Sequence, residues 1–287
     1  VILSNAIIAG APKSGSSSLY WWLTAHPDVC ASYTKETHFF SDDIMPRFNG
    51  DANSQQHDLS EYEAYFEHCT NEAVRVEATP IYLYQETALR ELGKFNPRPK
   101  IIFILREPSQ RAHSQFRFNK YRLGNIETSL PYQKYLETTR NTVSCPVERG
   151  NYAKYIERWI SIFDRENVHV MQLEKLFDDK VSTMKALADF LEIDPDFYDS
   201  FSFMKRNETR KMYSTKLHRL GLRIQPMIPR VLQDKVLVPL YLKLNSSKMP
   251  AISEGEKQMI EGMKSDFSSS NAALKQLVPS IDLSVWK

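Results

Sequence analysis

The feature that most constrains the fold lies near the start of the chain, in the run GAPKSGSSS at residues 10–18. The apolar segment from Ala6 to Ala9 precedes this run and predicts a buried strand, and the apolar segment from Leu19 to Leu23 follows it and predicts a helix. A strand, a short polar loop and a helix N-terminus form a binding site for an anion, because the first backbone N–H groups of the helix lack carbonyl partners. The sequence therefore predicts an α/β fold that binds an anion beyond its first strand.

Predicted strands and helices alternate along the first two thirds of the chain. Further strand patterns cover Val74–Glu77, Lys100–Leu105 and Val168–Leu173. Helical patterns cover Ser16–Ala25, Thr87–Phe95, Ser109–Tyr121, Tyr152–Phe163 and Val181–Leu191. This alternation predicts a P-loop-like three-layer sandwich, in which helices flank a central, mostly parallel sheet. Ligands of such sheets bind beyond the carboxyl ends of the strands, so we expect the loops after Ala9, Glu77 and Leu105 to share one cleft.

The length of 287 residues suffices for one large α/β domain with a helical appendage. We expect a single domain over residues 1–287, with a core over about 1–205. A basic segment and a helical C-terminal extension then cover about 206–287, with helices predicted at Glu254–Phe267 and Asn271–Leu277. The run from Ser268 to Asn271 predicts a turn that ends in a helix cap.

The charge balance excludes two classes of partner. The formal net charge is only +2, which argues against a polybasic nucleic-acid-binding protein, so we expect no nucleic acid partner. The most apolar late segment, Met227 to Leu244, contains four charged residues and is not expected to span a membrane.

The cysteines indicate a reduced compartment. Cys30, Cys69 and Cys145 are few, odd in number and lack CxxC spacing, which argues against a disulfide framework and against zinc. No acidic cluster suggests another metal site, and we therefore expect no metal. We expect a cytoplasmic location, with an excised luminal domain as the alternative, because Val1 is not a start methionine.

The first anion site differs from the common phosphate loop GxxxxGK[ST], in which lysine follows the second glycine. Here Lys13 comes two residues before Gly15. The backbone N–H groups of residues 14–18 and the three following serine hydroxyls still converge on an anion, and Lys13 adds a mobile charge. The ordinary alternative is a strand–turn–helix unit with a serine cap.

A second anion site is indicated where the strand Lys100–Leu105 ends. Arg106 follows this strand, and Ser114 lies eight positions later on the predicted helix. Arginine suits bidentate recognition of a phosphate, although a surface arginine beside an ordinary helix is the simpler explanation of this motif alone. Together the two motifs predict a ligand with two separate phosphates.

These motifs resemble those of sulfotransferases that use 3′-phosphoadenosine 5′-phosphosulfate. "PKSGSSS" resembles their 5′-phosphosulfate loop, and "LREPSQRAHS" resembles their 3′-phosphate motif. The resemblance extends to "HPDVCASYTKETHFF", "VEATPIYLY", "GNYAKYIERW" and the C-terminal "ISEGEKQMIEGMKSDFSSSNAALKQLV". The tail and "KETHFF" point to the heparan-sulfate-type branch of N- and 3-O-sulfotransferases, in a bacterial-type member.

The resemblance implies a catalytic role for the segment that contains Glu36 and His38. In an extended segment, residues two apart share a face, and the resemblance sets this face beside the sulfate. We assign Glu36 as the general base on the acceptor hydroxyl, His38 as its partner, and Lys13 as the cation near the leaving oxygen. His38 packed in the core beside two phenylalanines is the alternative. His113 is a second candidate base, which we rank lower because it lies in the 3′-phosphate helix.

The resemblance also divides the binding residues between donor and acceptor. Donor binding is expected from Lys13, Ser14, Gly15, Ser16, Ser17, Ser18, Arg106, Ser114, Tyr152, Arg210 and Lys211. Arg210 and Lys211 stand in for a cysteine-flanked loop that the family has and this chain lacks, although a solvated basic turn is an equal alternative. Lys35 and Thr79 are expected to bind the acceptor. The heparan-type motif usually carries lysine where this chain has Ala78, which weighs against a glycosaminoglycan acceptor.

Three functional hypotheses follow. The first is a sulfotransferase that acts by in-line displacement on a hydroxyl, with an amine as the alternative acceptor group. A carbohydrate acceptor is favoured over a lipid, polyketide or other small molecule. The second is a P-loop nucleotide kinase, which predicts lysine after the loop glycine and a need for magnesium. The third is a non-catalytic nucleotide-binding module, which predicts the loss of Glu36 or Lys13, and both are present. The oligomeric state is left open.

Overall fold

The structure is a computed structural model and describes residues 3–43, 53–204, 211–214 and 238–286. Its strands are β1 (Ala6–Gly10), β2 (Val29–Ala31), β3 (Val74–Ala78), β4 (Lys100–Leu105), β5 (Val168–Gln172), β6 (Lys211–Met212) and β7 (Ser246–Ser247). Its α-helices are α1 (Ser16–Leu23), α2 (Leu59–Glu63), α3 (Glu86–Leu92), α4 (Pro108–Arg117), α5 (Tyr132–Thr139), α6 (Tyr152–Phe163), α7 (Leu173–Asp178), α8 (Lys180–Leu191), α9 (Val238–Asn245), α10 (Glu254–Gly262) and α11 (Ser268–Leu277). Among the described helices, none is long and apolar enough to cross a membrane.

The central sheet has five strands in the order β2-β3-β1-β4-β5, and every neighbouring pair is parallel. β1 is the middle strand, and its Ile8 lies beside Ala78 of β3 and Ile102 of β4. Parallel strands buried on both faces have nearly continuous apolar sequences, as β4 does with five buried residues in six. The predicted parallel sheet is therefore confirmed.

Alternate residues of the strands enter two separate apolar clusters. Ile101 and Phe103 of β4 belong to one cluster, together with α3 and α6. Ile102 and Ile104 belong to the other, together with α1 and α8. Successive side chains of a strand point to opposite faces, so these clusters are the two helix layers on the sheet. The predicted three-layer α/β fold is confirmed.

The described residues form two compact units. The first contains the five-stranded sheet and takes its described residues from the ranges 1–107, 151–206 and 266–287. The second takes its residues from 108–150 and 207–265, and has its own apolar cluster around Phe116, Tyr132, Tyr135 and Ile260. In the second unit β6 pairs with β7 in antiparallel orientation. The single domain expected over residues 1–287 stays a prediction.

The C-terminal helices differ from the predicted boundaries. The helix predicted over Glu254–Phe267 is α-helical only to Gly262 and continues as a 3₁₀ helix over Met263–Phe267. The turn predicted at Ser268–Ser270 is wrong, because these serines form the first turn of α11. The cause lies at Phe267, whose helical backbone (φ −98°, ψ −1°) leads one helix directly into the next, without the extended residue that a serine cap requires.

A disulfide joins Cys30 and Cys69, with the two Cα atoms 5.8 Å apart. The expectation that the cysteines are unpaired is therefore wrong for this pair, because an odd total does not prevent two of three cysteines from meeting. Cys145 is the free, buried third cysteine. The bond ties the edge strand β2 to a residue 39 positions later.

Reducing this disulfide should lower the free energy of unfolding by about 4 kcal/mol, because a cross-link over a 39-residue separation restricts the unfolded chain. Denaturant unfolding with and without a reductant measures this loss. In the double variant Cys30→Ser/Cys69→Ser the reductant should have no effect. A wild-type midpoint that ignores the reductant would show that the bond does not form.

Candidate active site

The candidate site is built at the carboxyl edge of three adjacent strands in the first unit. β3, β1 and β4 lie side by side, so the residues that follow them emerge at one edge of the sheet. The polar loop follows β1, Thr79 follows β3 and Arg106 follows β4. The candidate catalytic segment, defined here as residues 35–41 and called the catalytic segment below, reaches this edge because the Glu36 N–H donates to the Ala78 carbonyl at 3.1 Å.

The loop after β1 ends at Gly15, the N-cap residue of α1. Gly15 has a left-handed backbone (φ 89°), and the N–H groups of Ser18 and Leu19 donate to its carbonyl at 3.0 and 3.2 Å. No side chain caps the helix, and its first turn contains no acidic residue. The first N–H groups therefore lack helical acceptors and carry the positive end of the helix dipole. This arrangement suits an anion.

Two neighbours of Gly15 strengthen this assignment. Ser14 is fully buried, and among the described residues no group lies within hydrogen-bond distance of its Oγ atom. A buried hydroxyl without a partner is costly unless it binds something, and an anion oxygen is a suitable acceptor. Lys13 is half-buried and has a left-handed backbone with φ 69°. Ser16 and Ser18 are buried in the first turn of α1.

Glu36 and His38 are brought together, but not by the geometry that the sequence predicts. Both residues have positive φ values, 63° and 54°, so the segment is not extended. The Oε2 atom of Glu36 still lies 3.8 Å from Nε2 of His38. A left-handed non-glycine residue costs roughly 1–2 kcal/mol. Such strain is concentrated at functional sites, and three of the five described non-glycine residues with positive φ are Lys13, Glu36 and His38.

The Glu36 carboxylate is held in its charged form. Burial alone would raise its pKa, but the nearby His38 imidazole and the charge of Lys35 lower the pKa to about 2. The Lys35 ammonium lies 2.5 Å from Oε1, and the Glu36 side chain remains 41% exposed. Lys35 also lies 5.7 Å from the centroid of the Tyr20 ring. Glu36 is therefore an ionised carboxylate that solvent or a substrate can reach.

Isotope-edited NMR should show that the Glu36 carboxyl stays ionised from neutral pH to about pH 4, well below an ordinary glutamate titration. In Lys35→Met the loss of the cation should raise the pKa of Glu36 toward 4.5, so the carboxylate becomes protonated at a higher pH than in the wild type. Because the pKa is lowered in the folded state, this carboxylate stabilises the fold fully above about pH 4.5, and its contribution is lost progressively as the pH falls from there through about 2. Lys94→Met, which removes one of the two cationic partners of Glu91 and keeps Arg90, is the control. A wild-type midpoint near 4.5 would contradict this account.

Glu77, a fully buried carboxylate of β3, was not among the residues predicted for the site. Its Oε1 atom accepts hydrogen bonds from Thr37 at 2.5 Å and from Thr79 at 2.6 Å, and its Oε2 atom accepts one from Tyr62 at 2.5 Å. The available signal was an acidic residue within the otherwise apolar end of a buried strand, V-E-A. Thr79 is likewise fully buried, and its Oγ1 atom accepts a bond from the His38 N–H at 3.4 Å. In this structure Thr79 supports the catalytic segment.

Tyr152 is placed behind the second anion motif. Its ring is fully buried in the core, and its hydroxyl donates to the Arg106 carbonyl at 2.9 Å. Tyr152 thus fixes the backbone at the end of β4 and does not line an open surface. The Arg106 side chain is half-buried at the same edge.

Three other candidate residues belong to the second unit. Ser114 and His113 lie on α4, and Lys211 lies in β6 with its ammonium 5.8 Å from the Tyr121 ring centroid. His113 is buried against the Tyr132 ring, with its Nε2 atom 3.5 Å from Oε1 of Glu256. Arg210 lies outside the described residues.

One group of side chains in the described part of the chain has the composition of a metal site. Nε2 of His68 lies 3.5 Å from Sγ of Cys30, and Cys69 completes the group. Both sulfur atoms are used by the disulfide, and metal binding requires free thiolates. The oxidised pair therefore serves as a cross-link.

Comparison with known proteins identifies related sequences. A family model of the sulfotransferase domain matches residues 3–229. Human heparan sulfate glucosamine 3-O-sulfotransferase 3B1 is 27% identical over 230 residues, which are 76% of this chain and 55% of that protein. Mouse heparan sulfate glucosamine 3-O-sulfotransferase 5 is 24% identical over 200 residues, or 67% and 54%. The chain spans about half the length of these curated relatives.

Among solved structures, a sulfotransferase from Alicyclobacillus acidocaldarius aligns with this chain at a TM-score of 0.71. The alignment covers 100% of this chain and 99% of that one, with 23% sequence identity. This likeness concerns the fold.

Proposed function

The chain belongs to the sulfotransferase domain family, as its motifs predict, and on this premise we propose that it transfers a sulfuryl group from 3′-phosphoadenosine 5′-phosphosulfate to an acceptor hydroxyl. The observation that carries the proposal is the pairing of Glu36 with His38. The ionised Glu36 carboxylate lies 3.8 Å from the His38 imidazole. The segment that contains both residues is hydrogen-bonded to β3, and β3 is the neighbour of β1, which leads into the anion loop. A general base and an anion site are the two components that sulfuryl transfer requires.

The residues of the first unit suit a donor that carries two phosphate groups. The uncapped N-terminus of α1, the buried Ser14 hydroxyl and the Lys13 cation would hold the phosphosulfate. Arg106, at the end of the adjacent strand, would hold the 3′-phosphate. Ser114, Lys211 and Arg210 remain proposed donor contacts.

When bound, the donor supplies an activated sulfate whose bond to the phosphate oxygen breaks as the acceptor oxygen attacks. Glu36 accepts the proton of the acceptor hydroxyl. His38 holds the Glu36 carboxylate in position. Lys13, in the loop after β1, offsets the negative charge that develops on the leaving oxygen. The Lys35 ammonium contacts Oε1 of Glu36, so it would lie beside an acceptor hydroxyl bound to that carboxylate. This contact supports Lys35 as an acceptor-binding residue.

We propose a carbohydrate acceptor. The two relatives named above are heparan sulfate sulfotransferases, which supports a sugar hydroxyl. Ala78 is fully buried in an apolar cluster, so the position that carries lysine in the heparan-type motif offers no cation here. The acceptor therefore need not be a sulfated glycosaminoglycan, and neutral sugars, lipids and polyketide alcohols belong in the same screen.

Calorimetric titration with adenosine 3′,5′-bisphosphate in the absence of magnesium tests the donor site, with ADP as the control. Tight binding of the bisphosphate and weak binding of ADP are expected. Transfer of labelled sulfate is then screened across oligosaccharide, lipid and phenolic acceptors. A preference for ADP that depends on magnesium would favour a P-loop kinase and contradict the proposal.

The compartment also stays a proposal. The sequence favours the cytoplasm, whereas the Cys30–Cys69 disulfide supports the luminal alternative, because disulfides persist in oxidising compartments.

A further inference from the structure

Glu77 lies at the centre of a buried network of hydroxyl groups. Its carboxylate accepts from Thr37, Thr79 and Tyr62, and Tyr62 also lies 2.7 Å from the Ser4 hydroxyl. Burial raises the pKa of Tyr62 well above its usual range and the Glu77 charge raises it further, so Tyr62 stays protonated. A buried carboxylate with three hydroxyl donors is satisfied without a cation.

Two of these donors, Thr37 and Thr79, also form hydrogen bonds within or to the catalytic segment. Thr37 stands between Glu36 and His38, and its Oγ1 atom also accepts the Phe39 N–H at 3.2 Å. Thr79 accepts the His38 N–H while it donates to Glu77. The same carboxylate oxygen, Oε1 of Glu77, thus binds the segment directly at Thr37 and indirectly through Thr79.

The third donor, Tyr62, meets the catalytic segment through its ring, whereas its hydroxyl bonds to Glu77 and Ser4. Tyr62 belongs to α2 and binds the other oxygen, Oε2. Its ring packs against Phe39 and Phe40, a contact that phenylalanine would keep. Tyr62 therefore provides a matched reference for the loss of one hydrogen bond to Glu77.

We propose that Glu77 is a positioning residue, which holds Glu36 and His38 in their left-handed backbone through Thr37 and Thr79. The inference rests on the proposed function, because that function makes the strained segment part of the catalytic site. The left-handed residues would relax to ordinary conformations without such an anchor. Glu77 acts through these neighbours and does not itself contact the substrate.

Hydrogen exchange of the Glu36 and His38 amides tests the positioning without any assay of activity. Thr37→Val should increase both exchange rates about tenfold or more, because a hydrogen bond to a charged group is lost. Both amides keep their own acceptors, Ala78 and Thr79, in this variant. Tyr62→Phe, which also removes one bond to Glu77, should leave these two amides unchanged.

Turnover provides the second readout. Thr37→Val should lower kcat about tenfold while the affinity for adenosine 3′,5′-bisphosphate is kept, and Tyr62→Phe should leave kcat unchanged. Glu77→Gln should retain most of the wild-type kcat, because the amide oxygen still accepts from both threonines and the amide nitrogen can donate to Tyr62. Glu77→Leu should both lower kcat and increase the exchange rates of the Glu36 and His38 amides.

The possible outcomes separate the two proposals. Equal exchange in Thr37→Val and Tyr62→Phe, or unchanged exchange in Thr37→Val, would overturn the positioning role. Loss of kcat in Glu77→Gln with normal exchange would assign the Glu77 charge itself to the chemistry and would also overturn it. A wild-type chain that transfers no sulfate would contradict the proposed function, while the exchange rates would still decide the positioning.

Discussion

Replacing Glu36 with glutamine should lower kcat by about a thousandfold, because general base catalysis contributes about 10² to 10⁴ in rate. The amide matches the carboxylate in volume but accepts no proton at neutral pH. Binding of adenosine 3′,5′-bisphosphate should remain within about twofold, since the proposed function assigns Glu36 to the acceptor hydroxyl and not to the donor. Steady-state transfer of labelled sulfate, combined with calorimetry, measures both quantities.

Glu36→Asp is the matched comparison for this variant. It keeps a carboxylate but moves it by one methylene group, so its kcat should lie between those of the wild type and Glu36→Gln. Equal loss of binding and turnover in Glu36→Gln would show that Glu36 is a structural residue. A Glu36→Gln variant with wild-type kcat would remove the general base from the proposal.

Replacing Gly15 with alanine should weaken binding of adenosine 3′,5′-bisphosphate by about a hundredfold, since strain and overpacking cost about 3 kcal/mol together. The positive φ of 89° is unfavourable for any L-residue. A methyl group at this position would also collide with Cδ1 of Leu173. Calorimetry with the bisphosphate measures the loss.

Two further variants separate these causes. Gly15→Ala/Leu173→Ala removes the collision but keeps the unfavourable φ, and should regain about tenfold in affinity relative to Gly15→Ala. Gly255→Ala is the control, because its added methyl group would meet no atom within 4 Å. Unchanged affinity in Gly15→Ala would mean that this loop does not hold the anion.

The fold and the backbone of the loop after β1 could be predicted because they depend on local sequence. The apolar run of β4 predicts a buried strand, and Gly15 before three serines predicts a turn into a helix N-terminus. These signals lie within a few residues of one another. The pattern that predicts α6 is also local, and its predicted bounds, Tyr152–Phe163, are those of the structure.

The rest of the site depends on contacts between distant residues. Thr37 meets Glu77 across 40 positions, and Cys30 meets Cys69 across 39. No local pattern encodes such pairings. The left-handed backbone at Glu36 and His38 was missed for the same reason, because neither residue type requires it and only the surrounding contacts impose it. The pairing of Glu36 with His38 was thus predicted correctly from an incorrect backbone geometry.

The discontinuous first unit has a consequence for the synthesis of the protein. Ile7 of the central strand shares its apolar cluster with Leu274, Ile281 and Trp286, near the other end of the chain. The Trp286 indole also donates to Glu174 at 2.9 Å. A ribosome must therefore translate from Ile7 through Trp286 before this core can close, and contacts of such wide separation make folding slow. During that interval β1 and the loop after it, which are translated earlier, lack their final packing partners.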